Sequence, residues 1–247
     1  MTDRRIYKNA PITEAIIDLR VDRRDEVSLS CLQELVDTTA AEFPKAEPIV
    51  QATGEMHVGV GQPAKVSASQ KEIGIRSISA DGKTVCQRQL YGFTFSRLAP
   101  YESWEPFRDS ARGHWNSYRE KTDPRNVKRL AVRYVNRIEI PESPVELKDY
   151  FRTSPEVSPD LPQMMDGFFM QLRLPQPDVQ ALAVVNQTIV PADRPNTLGV
   201  ILDIDVFCAE SVPQEEKSIW DHFEALHLKK NEIFEACITD KTRELMS

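Results

Sequence analysis

Alternating apolar and polar residues predict a series of strands in the first half of the chain. Between residues 12 and 21, one side of the alternation is apolar and consists of Ala15, Ile17, Leu19 and Val21. Because side chains along a strand point to opposite faces in turn, this period indicates a half-buried strand. Three further strands are expected over residues 48–60, 66–79 and 84–96, separated by turns at residues 61–63 and at Asp81-Gly82.

Two helices are predicted in the same half by apolar residues spaced three or four apart. The first follows Ser28 and Ser30, either of which could act as its cap, and Pro44 stops it. The second begins at Ser103, and its apolar stripe consists of Trp104, Phe107, Ala111, Trp115 and Tyr118. A stripe with this spacing lies on one face of a helix, so we expect it to pack against the core.

The same order of elements returns after residue 125. A strand is predicted over residues 130–140, followed by a proline-rich connection over residues 141–162 with a short helical segment at 145–151. Strands near 167–174, 181–190 and 198–208 follow, and a long helix from about Gln214 closes the chain. We therefore predict two halves, residues 1–124 and 125–247, the second with a degenerate first helix.

Two β-α-β-β-β-α units predict an α+β fold with a mainly antiparallel sheet backed by helices. An internal duplication of this kind has a TATA-binding-protein-like or related topology. Residues 104–107 (WEPF) and 220–223 (WDHF) support it, because both open the helix that follows the last strand of their half. The sheet face opposite the helices, or the seam between the halves, is then the expected place for a ligand.

Composition narrows the class of protein without naming a reaction. The 247 residues are 40% hydrophobic and 28% charged, which is typical of a globular chain. A formal charge of −7 repels a polyanion, so nucleic acid is an unfavoured partner. No apolar leader or membrane span is recognisable, which predicts a cytoplasmic protein. The cysteines are far apart in sequence and are expected to be buried free thiols: Cys31, Cys86, Cys208 and Cys237.

Charged residues on the polar sides of three strands are the candidate binding site. The alternation places Arg133 and Arg137 on one side of their strand, and Asp203 and Asp205 on one side of theirs. Arg20 shares a side of the first strand with Glu14 and Asp18. If these sides meet, they would form a mixed-charge groove able to hold a phosphorylated ligand or a charged peptide. The alternative is a solvated sheet face crossed by ion pairs of little energetic consequence.

An enzymatic interpretation of the same residues is a metal-dependent phosphohydrolase. Asp203 and Asp205 would hold Mg²⁺, and Arg133 and Arg137 would neutralise a nucleotide or polyphosphate. The initial Glu-x-Glu-x-Lys pattern of tunnel-type triphosphatases is absent. Patterns for a serine or cysteine nucleophile, a phosphate loop and a dinucleotide site are absent too. The preferred interpretation therefore assigns no catalytic residue, no metal and no cofactor, and Mg²⁺ belongs to the alternative alone.

Three segments distributed along nearly the whole chain carry a family pattern. They are residues 7–15 (YKNAPITEA), residues 133–138 (RYVNRI), and a C-terminal set formed by His227, Asn231, Phe234, Ile238 and Thr239. Together they resemble a sporadically distributed family of uncharacterised prokaryotic proteins. The resemblance implies a bacterial or archaeal source and a single full-length module. The patchy distribution of that family resembles that of accessory genes in defence or toxin–antitoxin loci.

The function expected from the sequence is that of a non-enzymatic binding protein. Its partner would be another protein, in an accessory system such as a defence or toxin–antitoxin locus, and a homo-oligomer is left open. The phosphohydrolase is the first alternative, and a nucleic-acid-binding module is the second. This second alternative requires a local basic cluster that overcomes the negative total charge.

Overall fold

Nine strands form one antiparallel sheet in the computed structural model, which describes residues 7–57, 65–141 and 145–247. The strands are β1 Ile12–Asp22, β2 Lys45–His57, β3 Lys65–Ile78, β4 Thr84–Gln89, β5 Gly92–Leu98, β6 Asn126–Ile140, β7 Phe169–Gln176, β8 Ala181–Val190 and β9 Leu198–Cys208. Their order in the sheet is β2-β3-β4-β5-β1-β6-β9-β8-β7. The predicted α+β class with a large antiparallel sheet is confirmed.

Five helices accompany the sheet in the described part of the chain: α1 Leu29–Thr38, α2 Trp104–Thr122, α3 Leu147–Tyr150, α4 Glu216–Cys237 and α5 Asp240–Leu245. The first packs on β3, α2 on β5, and α4 on β6 and β9. A short 3₁₀ helix, Pro177–Val179, lies between β7 and β8. Among the residues described, no helix has the length and apolar character needed to cross a membrane.

The apolar sides of the strands and helices meet in one core. On β1, Ala15, Ile17 and Leu19 are fully buried, as the alternation predicts. The predicted stripe on α2 is buried over its whole length, and its Trp115 meets Phe93 of β5 edge-on at a ring-centroid distance of 6.0 Å. The helices therefore cover one face of the sheet through its alternate, apolar positions.

The predicted strand over residues 84–96 is wrong, because the structure divides it into β4 and β5. The two are joined by a two-residue turn at Leu90 and Tyr91. Neither residue carries the usual turn chemistry, and Leu90 is itself buried, so the turn leaves little trace in the sequence. The next residue, Gly92, comes so close to β1 that a Cβ there would lie 2.5 Å from the Leu19 carbonyl oxygen. The first half consequently has one strand more than the predicted order.

The prediction of a single closing helix is also wrong, because α4 ends at Cys237 and a separate helix, α5, follows it. Thr239 caps α5 by accepting a hydrogen bond from the Thr242 N–H, and Ile238 forms a β-bridge with Phe151. The predicted turn at Asp81-Gly82 is present, with Gly82 at a φ of 72°. The turn predicted at residues 61–63 lies outside the described residues.

The two predicted halves join in the middle of the sheet. Antiparallel pairing of β1 with β6 runs from Ile12 opposite Asn136 to Asp22 opposite Asn126. One continuous sheet therefore crosses the boundary at residue 125.

The different burial of two residues of α4 predicts that their replacement will change the free energy of unfolding by very different amounts. Phe223 is fully buried and packs against Trp220 at 5.0 Å, whereas Leu228 is 47% exposed. We expect Phe223→Ala to lower the free energy of unfolding by about 3–5 kcal/mol, because it leaves a cavity beneath the sheet. Leu228→Ala should change it by less than about 0.5 kcal/mol. Urea unfolding followed by circular dichroism measures both, and equal effects would contradict this packing.

Candidate functional site

Charged side chains occupy the centre of the sheet face opposite the helices. Six of them, from three adjacent strands, form what we call the charged ladder: Asp18 and Arg20 of β1, Arg129 and Arg133 of β6, and Asp203 and Asp205 of β9. Their positions follow from the register, since the neighbouring residues of each strand point into the core. The ladder is thus the polar half of the alternation that builds the core.

Arg129 connects the three strands of the ladder. Its Nη1 donates to Asp18 Oδ1 at 2.9 Å, and its Nη2 donates to Asp205 Oδ2 at 2.7 Å. The guanidinium also lies over the ring of Phe207, 4.4 Å from the centroid. With carboxylates on both sides and an aromatic ring beneath it, this side chain is held in one orientation.

The β1 end of the ladder continues toward β4. Arg20 donates from Nε to Asp18 Oδ1 at 3.1 Å and from Nη1 to Gln89 Oε1 at 3.1 Å. Thr94 donates its hydroxyl to Asp18 Oδ2 at 2.8 Å. Both Asp18 oxygens are therefore engaged, and its side chain is only 9% exposed.

Arg133 and Asp203 form a bidentate pair at the β9 end. The Nε and Nη2 of Arg133 each donate to one oxygen of Asp203 at 2.8 Å. Asn186 of β8 donates to Asp203 Oδ2 at 3.0 Å and itself accepts from Gln171 of β7 at 2.9 Å. These hydrogen bonds extend from β6 to β7, an edge strand of the sheet.

In two ion pairs of the ladder, Arg20 with Asp18 and Arg133 with Asp203, the arginine is far more exposed than the carboxylate. The Asp203 side chain is 7% exposed, whereas its partner Arg133 is 46% exposed and Arg20 is 43% exposed. Arginine covers the carboxylates because its long stem lies along the sheet and keeps the guanidinium in water. The face is neutral as a set but presents N–H donors outward.

Asp205 is the least satisfied member of the ladder. Its Oδ1 is buried and accepts no hydrogen bond from the residues that the structure describes. Burial raises the pKa of Asp205 above its ordinary value of 3.8, and the nearby Arg129 and Arg133 only partly oppose this. Burial therefore makes the ionised form of the Asp205 carboxyl less favourable in the folded protein than in water.

Arg137 stands apart from the ladder although it shares a strand side with Arg133. Its Nε donates to Glu139 Oε1 at 2.8 Å, and its Nη2 lies 2.9 Å from Asp193 Oδ1. Burial of Glu139 acts to raise its pKa, but hydrogen bonds from Thr197 and Arg137 outweigh it and hold the pKa below its ordinary value. Arg137 thus belongs to a second ion-pair cluster, with the loop before β9.

Four of the five residues expected from the sequence come together: Arg20, Arg133, Asp203 and Asp205. Arg137 does not join them. Sequence reasoning missed Arg129, because the predicted strand began one residue later, at Leu130. The signal was available, since Arg129 is four residues before Arg133 and so lies on the same side of a strand.

The alternatives to the ladder as a functional site are metal sites and surface depressions in the part of the chain that the structure describes. No group of three or more His, Cys, Asp or Glu side chains there could hold a metal ion. Two surface depressions of the described chain involve no residue of the ladder. One is lined by Asp22, Arg23, Asp25, Tyr91 and Arg125, and the other lies between α1 and the β2–β3 hairpin.

Comparison with known proteins adds no family. No protein-family model matches the chain, and a search of curated proteins gives no significant match. The resemblance carried by residues 7–15, 133–138 and the C-terminal set stays a prediction.

The ion pair formed by Arg133 and Asp203 predicts that replacing Arg133 lowers the free energy of unfolding more than replacing Asp203 does. Arg133→Met leaves the buried Asp203 carboxylate with only Asn186 as a described side-chain donor. We expect a loss of about 1–3 kcal/mol in the free energy of unfolding. Asp203→Ala removes the buried carboxylate and its need for donors, releases a half-exposed guanidinium into water, and should cost less than about 1 kcal/mol. Urea denaturation of both variants measures the difference, and the reverse order would contradict the burial pattern.

The raised pKa of Asp205 predicts a pH dependence of stability. A carboxyl with a raised pKa in the folded state binds more protons there than in the unfolded chain. Its contribution to the free energy of unfolding therefore falls as the pH rises from about 3.8 through the folded-state pKa. Relative to the wild type, Asp205→Asn should become more stable across this interval, which unfolding measured at a series of pH values tests.

Asp178 provides a control of opposite sign for this experiment. A hydrogen bond from Lys229 lowers the pKa of Asp178. Its carboxylate therefore adds stability above its unfolded-state pKa, and that stability is lost as the pH falls. Asp178→Asn should become less stable than the wild type as the pH rises. Parallel pH profiles for the two variants would contradict the assignment.

Proposed function

We propose that the protein is a non-enzymatic binding module that recognises another protein through the charged ladder and the sheet face around it. The observation that carries this proposal is a pair of hydrogen-bonded chains on the face opposite the helices, one from Gln89 of β4 to Asp205 of β9 and the other from Arg133 of β6 to Gln171 of β7. A fixed polar face of this width suits a macromolecular partner better than a small ligand, which usually binds in a concave pocket.

The chemistry of the face indicates the kind of surface that would fit it. Arg20 and Arg133 keep almost half of their side chains in water while their carboxylate partners stay beneath them. A partner would meet guanidinium N–H groups in fixed positions and would have to supply acceptors, such as carboxylates or backbone carbonyls. Recognition would depend on matching this pattern, since the ladder has no net charge.

The phosphohydrolase alternative receives less support from the same contacts. Asp203 accepts two hydrogen bonds from Arg133, and Asp205 accepts one from Arg129. A divalent ion would have to displace these arginines from the carboxylates. Arg137, the second cation of that hypothesis, is paired with Glu139 and Asp193. Nucleic-acid binding receives little support as well, because each arginine of the ladder faces a carboxylate.

We also propose that the chain arose by internal duplication, with a topology related to that of TATA-binding protein. In each proposed half the first strand pairs with the last, as β1 pairs with β5 and β6 with β9. A long helix follows each last strand. In this correspondence α3 takes the place of α1, and β2 has no counterpart among the described residues of the second half.

Affinity purification of the tagged protein from its own host, with quantitative mass spectrometry, tests the binding proposal. We expect a stoichiometric protein partner whose recovery falls at least about tenfold with Arg133→Gln, a loss of about 1.4 kcal/mol. The matched control is Arg112→Gln on α2, where the arginine is 45% exposed and also pairs with a carboxylate, Glu216. Its recovery should equal that of the wild type.

Three results would contradict the proposal. Equal losses from the two variants would move the partner away from the ladder, once thermal melts confirm that both are folded. If no protein partner is recovered, the proposal that the protein binds another protein is contradicted. Turnover of a nucleotide or polyphosphate by the purified protein, abolished by joint replacement of Asp203 and Asp205 with Asn, would favour the phosphohydrolase.

A further inference from the structure

The hairpin formed by β2 and β3 runs past the rest of the sheet. Strand β4 pairs with β3 only from Gly74 to Ile78, whereas the pairing of β2 with β3 continues to His57 opposite Lys65. Residues 50–57 and 65–72 therefore form a two-stranded ribbon, which we call the arm. Eight residues of strand span about 26 Å, so the arm projects well beyond the body of the protein.

The arm is exposed on both faces over its described side chains. Val50 is 48% exposed, and residues 51–54 and 68–72 are exposed as well. A two-stranded ribbon that packs on nothing is marginally stable in water. The outer edge of β2 also has no neighbouring strand in the sheet order, so its outward backbone groups face solvent.

Devices that usually protect an exposed edge are sparse on the arm. On β2 the arm carries one charged residue, Glu55, and on β3 it carries Lys65, Lys71 and Glu72. Pro48 comes before the arm and leaves the backbone N–H groups of residues 50–57 intact. The opposite edge strand, β7, is shorter and includes Arg173 and Pro175. Charged residues and proline are the common means of preventing strand addition, so the arm, which is longer and has no proline on its outer strand, is the more receptive edge.

We propose that the arm joins two copies of this chain, with the outer edge of β2 pairing antiparallel to β2 of the second copy about a twofold axis. This pairing is self-complementary, because each residue that donates to the partner also accepts from the equivalent one. It satisfies the outward backbone groups of both arms and gives each marginal ribbon two further strands.

Electrostatics favours the arm as a place where a second copy can bind. Each chain carries a formal charge of −7, so two bodies repel when they approach closely. The described part of the arm is neutral as a set. Its length of about 26 Å exceeds the screening length of about 8 Å at physiological salt. Contact through the arms therefore keeps the acidic bodies at a distance where their repulsion is largely screened.

Sedimentation velocity of the full chain over a range of concentrations tests the association. We expect a species of twice the 28.2 kDa chain mass. Ala52→Glu on β2 brings like charges together near the twofold axis and should weaken dimerisation by about tenfold. Ala68→Glu, on β3 of the same arm, is the matched control and should leave it unchanged. Thermal melts of the two variants should coincide with that of the wild type at a concentration at which sedimentation shows only monomer.

Disulfide trapping tests the geometry independently of the affinity. Under mild oxidation, Ala52→Cys should give a covalent dimer, whereas Ala68→Cys and the wild-type protein, with its four native cysteines, should not. A monomer at every concentration overturns the proposal. So does a dimer that Ala52→Glu leaves intact, or one that Ala68→Cys traps as readily as Ala52→Cys. None of these outcomes depends on the charged ladder, which lies outside the arm.

Discussion

The antiparallel pairing of β1 with β6 is the contact on which the rest of the structure depends. It joins the two halves of the chain and places Arg20 opposite Arg129 and Asp18 opposite Ala131. A shift of one residue in this register would turn Asp18 into the core and Ile17 into solvent. Burial of the apolar side chains on one face of the pair and ion pairs on the other face both require this register.

The same alternation serves the core and the candidate site at once. On β6, Leu130, Val132 and Tyr134 face the helices while Arg129 and Arg133 face away. The helices cover one face, so the sheet needs a polar layer only on the other. The position of the ladder is therefore a consequence of helix packing, and a change in the core that rotates β6 would disturb the ladder as well.

The spacing of apolar residues and the residue types typical of turns were enough to predict most helices and strands of the fold. The strand containing Leu19 and the α2 stripe ending at Tyr118 follow directly from spacing, because their apolar sides are continuous. The turn at Leu90 and Tyr91 was missed, because tertiary burial rather than local chemistry decides it. The bend before Thr239 was missed for a similar reason: Ile238 is drawn out of the helix by its bridge to Phe151.

Most residues of the candidate site could be predicted from the sequence, but the ion pairs that they form could not. Alternation shows that Asp203 and Asp205 share a side, yet it cannot show which arginine each one meets. That depends on the order of strands in the sheet, which brings β6 between β1 and β9. Arg133 and Arg137 have the same parity and still enter different clusters, because Arg137 is opposite Ile201, close to the loop that contains Asp193.

The pairing of charges within the ladder has a consequence for how a partner would bind. Long-range attraction requires a net charge, and the ladder has none, so it would not accelerate the encounter of two proteins. Its arginines are already oriented by carboxylates, which removes part of the entropy cost of ordering them on binding. A neutral but fixed polar face therefore favours discrimination between partners over speed of association. It also keeps the open side of a nine-stranded sheet from presenting an apolar surface to other chains.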